Sequence, residues 1–269
     1  NALLKTPQQK EGDKTAHAIL TTDTCTKTVF LEKKIGKKMI QVTGICKGSG
    51  MIAPNMATML AYIVSNVHIE KSLLQTWLKE AVDQSFNMIT VDSDTSTSDM
   101  VVAFATGDHK INYRDKDEVN AFKSLLKDAC QSLATQIIKD GEGASKLIEL
   151  TVKGAATCSD AKKVALSVLN SPLVKTAIHG EDPNWGRLIM AIGKTEGVKL
   201  NPKKVSIAVG GHWIFKQGEP TAFDLEVVKQ ALTPRHVYLT IDLGIRDAHV
   251  TAWGCDLSKG YIDINVDYN

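Results

Sequence analysis

The sequence predicts a mixed α/β fold with largely antiparallel sheets. Two long segments, 73–86 and 119–137, repeat apolar residues at the spacing of an amphipathic helix. The last third of the chain is instead rich in short β-branched and alternating apolar runs, which are typical of strands. Because helices and strands interleave without a strict strand–helix–strand repeat, the pattern favours a mixed fold. With 269 residues, the chain is long enough for one large domain or two ordinary ones.

The individual elements follow from local patterns along the chain. Residues 15–23 are predicted to form a short strand or turn, and the apolar runs 29–31 and 39–42 flank a lysine-rich turn typical of a β-hairpin. A short helix is expected directly after Thr58, followed by the two amphipathic helices. The remaining elements are helices at 160–169 and 225–232 and strands at 148–152, 205–209, 237–243, 248–253 and 261–266.

Composition and charge exclude several classes of function. Hydrophobic residues make up 43% of the chain and charged residues 23%, as in globular proteins. The net charge of +2 is too small for a protein that neutralises many phosphates, so no nucleic-acid partner is expected. No apolar run has the roughly 18–20 residues of a membrane helix, and no signal-peptide pattern opens the sequence. The five cysteines include no C-x-x-C pair, which favours free thiols in a cytoplasmic protein.

The segment T-V-D-S-D-T-S-T-S-D at 90–99 begins like a calcium-binding loop. Such a loop has glycine at its sixth position and an acidic ligand at its twelfth, but Thr97 and Ala103 occupy those positions here. We therefore expect no metal. Asp92, Asp94 and Asp99 are interpreted as part of a turn that organises a site through side-chain hydrogen bonds.

The segment G-S-G-M-I-A-P-N-M-A-T-M-L at 48–60 carries the strongest chemical signal. It places Thr58 behind a small residue, Ala57, with two glycines and a proline on the approach. A threonine hydroxyl is a weak nucleophile, but a threonine at a free N-terminus carries its own base, since the α-amino group has a pKa of about 7.7–8.0. On residue type alone, Thr58 would more often be the N-cap of a helix.

Five blocks of the sequence together resemble one known family. Lys47 with the segment 48–60 is followed, in order, by the segment 90–99, by D-G-E-G-A at 140–144, by D-P-N-W-G-R at 182–187, and by W-G-C-D-L at 253–257 with Ile264 and Asn265. These blocks are similar to the signature segments of the ornithine acetyltransferase family of arginine biosynthesis, also called glutamate N-acetyltransferase. The resemblance runs from about residue 16 to the end of the sequence.

The resemblance implies a self-processing enzyme with a threonine nucleophile. In that family the chain is cut just before the nucleophile, which places the cleavage between Ala57 and Thr58 and makes Thr58 the catalytic residue. Thr58 then takes the acetyl group from N-acetylornithine and passes it to glutamate, so no cofactor is required. Some members also acetylate glutamate from acetyl-coenzyme A, which is therefore a candidate co-substrate.

The resemblance also implies an architecture and an assembly. The two pieces, 1–57 and 58–269, stay interlocked in a layered α/β/β/α fold, and two copies of each form a heterotetramer. The family carries a long segment before the position of Asn1, and that segment supplies two donors that stabilise the oxyanion. By this resemblance the sequence lacks its N-terminal portion.

Four further residues are implied to bind substrate. Lys47 is expected to hold the α-carboxylate that ornithine and glutamate share, and Glu142 to face a substrate ammonium. Thr21 and Asn265 match further substrate contacts, although the neighbouring Thr22 competes with Thr21 for the match. On residue type alone, Lys47 would be a surface lysine and Glu142 a turn residue.

Two other functions stay open at the level of sequence. An amidohydrolase or β-aminopeptidase of the same fold would pass the acyl group to water, although Lys47 and Glu142 favour an amino-acid acceptor. A catalytically silent, truncated subunit would use the same fold to bind a partner.

Overall fold

Two β-sheets and eight α-helices make up the part of the chain that the computed structural model describes, residues 12–36, 38–53 and 59–267. The helices are α1 (Gly12–Ala18), α2 (Lys71–Asp83), α3 (Lys116–Lys139), α4 (Cys158–Leu169), α5 (Pro172–His179), α6 (Trp185–Gly193), α7 (Leu225–Leu232) and α8 (Lys259–Asp267). The strands are β1 (Lys27–Ile35), β2 (Lys38–Lys47), β3 (Leu60–His68), β4 (Ile89–Thr90), β5 (Met100–Lys110), β6 (Leu147–Ala155), β7 (Ser206–Val209), β8 (His212–Lys216), β9 (Glu219–Pro220), β10 (His236–Asp242) and β11 (Ala248–Cys255). Within these ranges, no helix has both the length and the apolar character needed to cross a membrane.

The first sheet has four strands in the order β1-β2-β3-β5. Strands β1 and β2 form an antiparallel hairpin that closes at the pair Ile35 and Lys38. Strand β3 pairs antiparallel with β2 and parallel with β5. The register places Lys47, Leu60 and Met100 side by side at one end of this sheet. That end is where the chain enters β3 from Thr58.

Long helices pack against only one of the two faces of the four-stranded sheet in the described structure. Helices α2 and α3 pack against one face, and a Cβ built on Gly44 of β2 would meet the α3 side chain of Leu133 at 3.0 Å. The opposite face is apolar but open to solvent in the described structure. Phe30 and Phe104 on that face are 60% and 52% exposed, and the register places them in one row across the sheet.

The second sheet has seven strands in the order β4-β11-β6-β10-β7-β8-β9. Helix α4 packs against β6 and β11, and α7 packs against β7 and β10. Helix α6 joins this layer, since the rings of Trp185 and Phe215 stack with their centroids 5.3 Å apart. Strand β6 alternates buried apolar residues with Glu149, Thr151 and Lys153, so the opposite face of the sheet is polar.

Helix α3 connects the two sheets. It begins at the N-cap Asp115, whose carboxylate accepts hydrogen bonds from the backbone N–H groups of Asp117 and Glu118. It packs against β1 and β2 of one sheet and also contacts β4 and β11 of the other. Its Phe122 ring lies 5.9 Å from the Trp77 ring of α2, within the buried core. The end of α3 therefore lies between the two sheets, where the site is built.

The predicted fold class is confirmed. Two sheets and two groups of helices make up the described fold, and six of the nine described strand pairings are antiparallel. The predicted lysine-rich hairpin corresponds to β1 and β2, and the two amphipathic helices to α2 and α3. The helices predicted at 160–169 and 225–232 correspond to α4 and α7, and the strands predicted at 148–152, 205–209, 237–243 and 248–253 to β6, β7, β10 and β11.

The prediction of a short helix after Thr58 is wrong, because residues 60–68 form β3. Every second side chain of the strand is buried, namely Ala61, Ile63, Ser65 and Val67. A period of two with β-branched residues suits a pleated sheet better than a helix. The interpretation of Thr58 as a helix N-cap is wrong for the same reason, since no helix follows it.

Two further local predictions are also wrong. Residues 261–266 lie in helix α8 rather than in a strand, and their alternating apolar side chains are exposed, so no sheet face buries them. The helix begins where Ser258 Oγ accepts the N–H of Gly260. The start of the segment 15–23 belongs to helix α1, which has Asp13 in its first turn and buries Ala16.

Candidate active site

Thr58 and Ala57 lie outside the described residues, but both flanks of their segment are described. Ala53 ends the described stretch on one side, and Met59 begins it on the other. Met59, the residue after Thr58 in the sequence, directly precedes the end of the four-stranded sheet where Lys47, Leu60 and Met100 pair.

The acidic loop, residues 91–99, holds both flanks of this segment. Before it, the Asp92 carboxylate accepts hydrogen bonds from the N–H groups of Met51 (2.6 Å) and Ile52 (2.9 Å). After it, Asp99 Oδ1 accepts the N–H of Met59 at 2.6 Å. Hydrogen bonds to an ionised acceptor are among the stronger ones in proteins. Asp92 and Asp99 therefore fix the chain on either side of Thr58, in agreement with the interpretation of this segment as an organising turn.

A buried lysine fixes the start of the acidic loop. Lys175 of α5 donates hydrogen bonds from Nζ to the carbonyl oxygens of Val91 (2.8 Å) and Cys255 (2.5 Å). Burial raises the pKa of the adjacent Cys255 thiol, which keeps it in its neutral form. Lys175 thus ties the acidic loop to the end of β11.

Lys47 and Thr21 form the first pair of candidate substrate contacts. Lys47 is the last residue of β2, its side chain is buried, and its Nζ donates to Thr21 Oγ1 at 3.3 Å. A lysine kept only for solubility would be exposed, so its burial disfavours the surface interpretation. The contact also selects Thr21 rather than Thr22 as the threonine beside Lys47.

A buried ion network positions this first pair. Lys27 Nζ lies 2.6 Å from Asp23 Oδ1 and 2.5 Å from Asp140 Oδ2. Asp23 also accepts the N–H of Gly48 at 2.6 Å and that of Thr21 at 3.3 Å. Burial alone would raise the pKa of Asp23, but the hydrogen bonds from Gly48 and Lys27 outweigh it and hold the pKa below its ordinary value. The network joins Asp23, in the segment that leads into β1, to Gly48, the glycine that follows β2.

Glu142 and Asn265 form the second pair. Asn265 Nδ2, on α8, donates to Glu142 Oε2 at 2.9 Å. The backbone N–H of Glu142 donates to the carbonyl of Ser49 at 3.2 Å. A Cβ on Gly50 would overlap the Glu142 carboxylate, so glycine is required at that position for the carboxylate to lie where it does.

The glycine loop, residues 48–50, therefore separates the two pairs. Lys47 precedes the loop, and the Glu142 carboxylate lies against its last residue, Gly50. Helix α8 packs closely against Gly143, because this glycine has no side chain that would overlap the backbone of Tyr261. Its φ of 67° also favours glycine. A cation thus directly precedes the glycine loop in the chain, and an anion lies against the last residue of the loop.

A serine, a histidine and an aspartate also meet on the far side of the Glu142 turn. Ser145 Oγ donates to Asp256 Oδ2 at 2.5 Å, and His179 Nδ1 lies 2.8 Å from the same oxygen. In a hydrolase triad the serine donates to the histidine and the histidine to the aspartate. Here a single histidine nitrogen, His179 Nδ1, contacts both Asp256 Oδ2 and Ser145 Oγ (3.4 Å), whereas a triad histidine uses a different ring nitrogen for each partner. The Asp256 carboxylate also accepts the N–H of Lys146. The arrangement is a brace for the start of β6 and not a nucleophile.

Asp99 is a site residue whose individual role the sequence did not reveal. Its Oδ2 is buried without a hydrogen-bond partner among the described residues. Burial raises the pKa of Asp99 to about 6, against the opposing effects of the Met59 N–H and of nearby Lys47. The only sequence signal was its position at the end of a hydroxyl-rich acidic segment. Its carboxylate contacts Met59, the residue that follows the candidate nucleophile in the sequence.

Lys47 thus precedes the glycine loop, and the Glu142 carboxylate lies against the last residue of the loop, at the end of a sheet in a mixed α/β fold. This arrangement defines a candidate site for a ligand that carries both charges. Comparison with known proteins identifies the family. The sequence model described as the ArgJ family matches residues 1–269, and the chain belongs to that family.

Individual relatives agree with this family. The arginine biosynthesis bifunctional protein ArgJ of Bacillus thuringiensis subsp. konkukian is 45% identical over 269 residues, which cover 99% of this chain and 65% of that protein. The protein of the same name from Oceanobacillus iheyensis is 46% identical over 262 residues, covering 97% and 64%. The chain thus spans just under two thirds of the length of these relatives.

A solved structure is similar as well. The crystal structure of arginine biosynthesis bifunctional protein ArgJ from Bacillus halodurans superposes with a TM-score of 0.73 at 42% sequence identity. The match covers 77% of this chain and 98% of the crystallised chain.

Proposed function

We propose that this chain forms part of an acetyltransferase that moves the acetyl group of N-acetylornithine to glutamate through an acetyl-Thr58 intermediate. The observation that supports the proposal is the way the described residues on either side of the segment that contains Thr58 are held. Its segment is held on both flanks by Asp92 and Asp99, at the end of the loop that separates Lys47 from Glu142. Relatives named for arginine biosynthesis support the choice of these amino-acid substrates.

The first chemical step is self-cleavage between Ala57 and Thr58. Thr58 Oγ attacks the carbonyl carbon of Ala57, its proton passes to the departing nitrogen, and the peptide becomes an ester. Water then hydrolyses the ester and leaves a carboxylate on Ala57 and a free α-amino group on Thr58. Fixed flanks favour the step, because they hold the hydroxyl and the peptide in one geometry.

The transfer uses the freed amino group as a base. It accepts the hydroxyl proton while Oγ bonds to the acetyl carbon, and it returns a proton to the ornithine nitrogen as the amide C–N bond breaks. The α-amine of glutamate then attacks the ester, forms N-acetylglutamate and regenerates the hydroxyl. The acetyl group stays on the protein between the two steps, so no cofactor is needed. Acetyl-coenzyme A would enter as an alternative acetyl donor to the same oxygen.

Charge recognition explains why both amino acids fit one site. N-acetylornithine and glutamate share an α-carboxylate, which the Lys47 ammonium attracts with support from Thr21. The Glu142 carboxylate, held by Asn265, would face the side-chain ammonium of N-acetylornithine, while the α-amine of glutamate would take the place of the acetylated nitrogen. Water as the acceptor, in an amidohydrolase or β-aminopeptidase, would make no use of this arrangement.

Two observations support a protein of two interlocked pieces, 1–57 and 58–269, and we further propose that two copies of each piece form a heterotetramer in the cytoplasm. The two coverages of the Bacillus halodurans match, 77% and 98%, give a crystallised chain about four-fifths as long as this one. The piece that begins at Thr58 is also about four-fifths of the 269 residues. Phe30 and Phe104 are in addition exposed on one face of the four-stranded sheet, where further polypeptide would bury them. That polypeptide would also supply the oxyanion donors.

One experiment separates the three functions that the sequence left open. The complete protein is incubated with N-acetylornithine, with and without glutamate, while intact mass records the cleavage state. We expect two pieces separated at Ala57–Thr58 and acetyl transfer that requires glutamate. Acetate release that ignores glutamate would identify a hydrolase, and an uncleaved, inactive protein would identify a silent subunit.

The residue assignment is tested by Thr58→Ala with Thr97→Ala as its control. Thr97 is an exposed threonine of the acidic loop whose hydroxyl, among the described residues, hydrogen-bonds with that of Ser98. We expect Thr58→Ala to abolish both cleavage and transfer and Thr97→Ala to preserve both. A cleaved, active Thr58→Ala protein would contradict the proposal.

A further inference from the structure

The two proposed substrates carry opposite charges at the ends of their side chains. N-acetylornithine ends in an ammonium group and glutamate in a γ-carboxylate, and both end groups lie the same number of bonds from Cα. If Lys47 holds the α-carboxylate of each, the two side chains end in the same part of the site. Glu142 in that part attracts the ammonium and repels the γ-carboxylate. Glutamate therefore needs a hydrogen-bond donor beside Glu142.

The amide of Asn265 donates to Glu142, but both of its N–H groups are in use. Nδ2 donates to Glu142 Oε2 and to the carbonyl oxygen of Tyr261, each at 2.9 Å. A side-chain amide has only two N–H donors. Asn265 thus orients Glu142 and has no N–H left for a ligand carboxylate.

The hydroxyl of Tyr261 is a second donor on the same helix, and its hydrogen bond is weak. It donates to Asp92 Oδ2 at 3.5 Å, which is at the outer limit for a hydrogen bond. The same carboxylate accepts much shorter bonds from the N–H groups of Met51 and Ile52. The hydroxyl can therefore turn to a ligand while Asp92 keeps its stronger partners.

The fold brings this hydroxyl to the part of the site where Glu142 lies. Tyr261 is in the first turn of α8, where its backbone packs against Gly143, the residue after Glu142. Its hydroxyl reaches Asp92, which holds the N–H of the residue after Gly50. The Glu142 carboxylate lies against Gly50 itself. The hydroxyl and the Glu142 carboxylate thus approach neighbouring points of the same loop.

Tyr261 keeps the proton that a donor needs. Burial raises the pKa of Tyr261 to about 12, and the carboxylates of Asp92, Asp94 and Glu142 act in the same direction. A neutral phenol donates one hydrogen bond and accepts others through its oxygen. It can therefore donate to a carboxylate or accept from an ammonium, whichever side chain is bound.

We propose that Tyr261 is a specificity-determining residue whose hydroxyl contacts the end of the substrate side chain. It donates to the γ-carboxylate of glutamate and accepts from the side-chain ammonium of N-acetylornithine. The inference rests on the proposed function. Loss of the hydroxyl affects the two substrates unequally, because the ammonium keeps Glu142 as its partner, whereas the γ-carboxylate is left beside a like charge.

A purely structural role for the hydroxyl makes a different prediction. If it served only to support Asp92, its loss would loosen the chain that Asp92 holds at Met51 and Ile52. Both half-reactions use the same site, so both would then slow alike. The ratio of the two effects therefore distinguishes substrate contact from support.

The test is Tyr261→Phe in the complete protein, with Tyr113→Phe as the control. Tyr113 is an exposed tyrosine whose hydroxyl accepts the N–H of Glu70, outside the candidate site. The value of kcat/KM is measured for N-acetylornithine and for glutamate, per cleaved enzyme counted by intact mass. In Tyr261→Phe we expect the value for glutamate to fall about tenfold or more and that for N-acetylornithine to stay within about twofold. Tyr113→Phe should preserve both.

Three results would overturn the inference while leaving the proposed function intact. Losses in Tyr261→Phe that are equal for the two substrates, absent, or larger for N-acetylornithine would show that the hydroxyl does not select glutamate. A Tyr261→Phe protein that fails to fold or to cleave would assign the hydroxyl to support of the chain. A wild-type protein that transfers no acetyl group from N-acetylornithine to glutamate would overturn both, so the two failures are distinguishable.

Discussion

Asn265 donates a hydrogen bond to the Glu142 carboxylate across 123 residues of sequence, at 2.9 Å. The same amide group donates to the carbonyl of Tyr261, one turn earlier in α8, which fixes its own orientation. Helix α8 thus orients the carboxylate that lies against Gly50, the last residue of the glycine loop. In the proposed reaction, Asn265 acts on the substrate through Glu142.

Asn265→Ala should therefore weaken substrate binding more than it slows chemistry. Loss of one hydrogen bond to a charged group is worth about 1.5–3 kcal/mol at most, and less where the carboxylate is solvated. We expect KM for N-acetylornithine to rise about 3- to 10-fold with kcat within about twofold, since the lost contact is made in the ground state as well. Asp263→Ala, an exposed change on the same helix, is the control. Equal KM values in both variants would contradict the role.

Gly50→Ala should displace Glu142 without unfolding the protein. The added Cβ would overlap the Glu142 carboxylate, which can swing away because it ends a flexible side chain. We expect a KM at least as high as that of Asn265→Ala and a free energy of unfolding within about 1 kcal/mol of wild type. Gly193→Ala is the matched control, since a Cβ there meets nothing within 4 Å. Wild-type KM in Gly50→Ala would show that the Glu142 position is unimportant.

Elements with strong local signals were predictable from the sequence. Helix α7 was assigned to its observed bounds, because its apolar spacing is regular and Asp224 caps its first turn. Short apolar runs were not predictable, since the same run is compatible with a helix or a strand until the elements that pack against it are known. Strand β3 is one such case, and its partners β2 and β5 decide it. Helices α5 and α6 were missed although Pro172 and the N-cap Asn184 mark their starts.

The candidate site shows the same division. The glycine loop, Lys47 and Glu142 could be named because each stands in a distinctive motif. That Lys47 is buried against Thr21 follows from the end of β2 and the ion network around Lys27, which link residues far apart in sequence. The unpaired oxygen of Asp99 depends on the packing of α2 against the sheet. No spacing in the sequence encodes such packing.

Lys27→Met should be strongly destabilising. Lys27 is fully buried, and its removal leaves the carboxylates of Asp23 and Asp140 without their shared cation. Breaking a buried ion network by removing one partner typically costs about 3–5 kcal/mol. We expect a loss of that order in the free energy of unfolding, measured by urea denaturation with the slope unchanged.

The control for this prediction is Lys123→Met. Lys123 forms a comparably short ion pair with Glu80, 2.5 Å long, but both side chains are partly exposed. Exposed pairs contribute about 0–1 kcal/mol, so the control should lose little. Equal losses in the two variants would show that burial of the Lys27 network is not what stabilises the loop at Gly48.

Asp99 should make stability depend on pH in a direction opposite to that of most aspartates. Its pKa is about 6 in the folded protein against an ordinary value of 3.8, so folding favours the neutral carboxyl. Its contribution to stability is therefore complete below pH 3.8 and is lost as pH rises through about 6. Asp99→Asn cannot ionise at this position. As pH is raised from 4 to 7.5, we therefore expect its free energy of unfolding to rise by about 1–2 kcal/mol relative to that of its parent, after a discount for partial exposure.

The measurement is urea denaturation at pH 4 and pH 7.5 in a Thr58→Ala background, which by the proposed mechanism stays uncleaved and unfolds as a single chain. Asp94→Asn in the same background controls for a change of net charge in the loop. A difference between Asp99→Asn and its parent that is the same at both pH values would show that Asp99 is not destabilised by ionisation. A gain at pH 7.5 that is confined to Asp99→Asn would mean that the ionised Asp99 carboxylate is kept at a cost to stability.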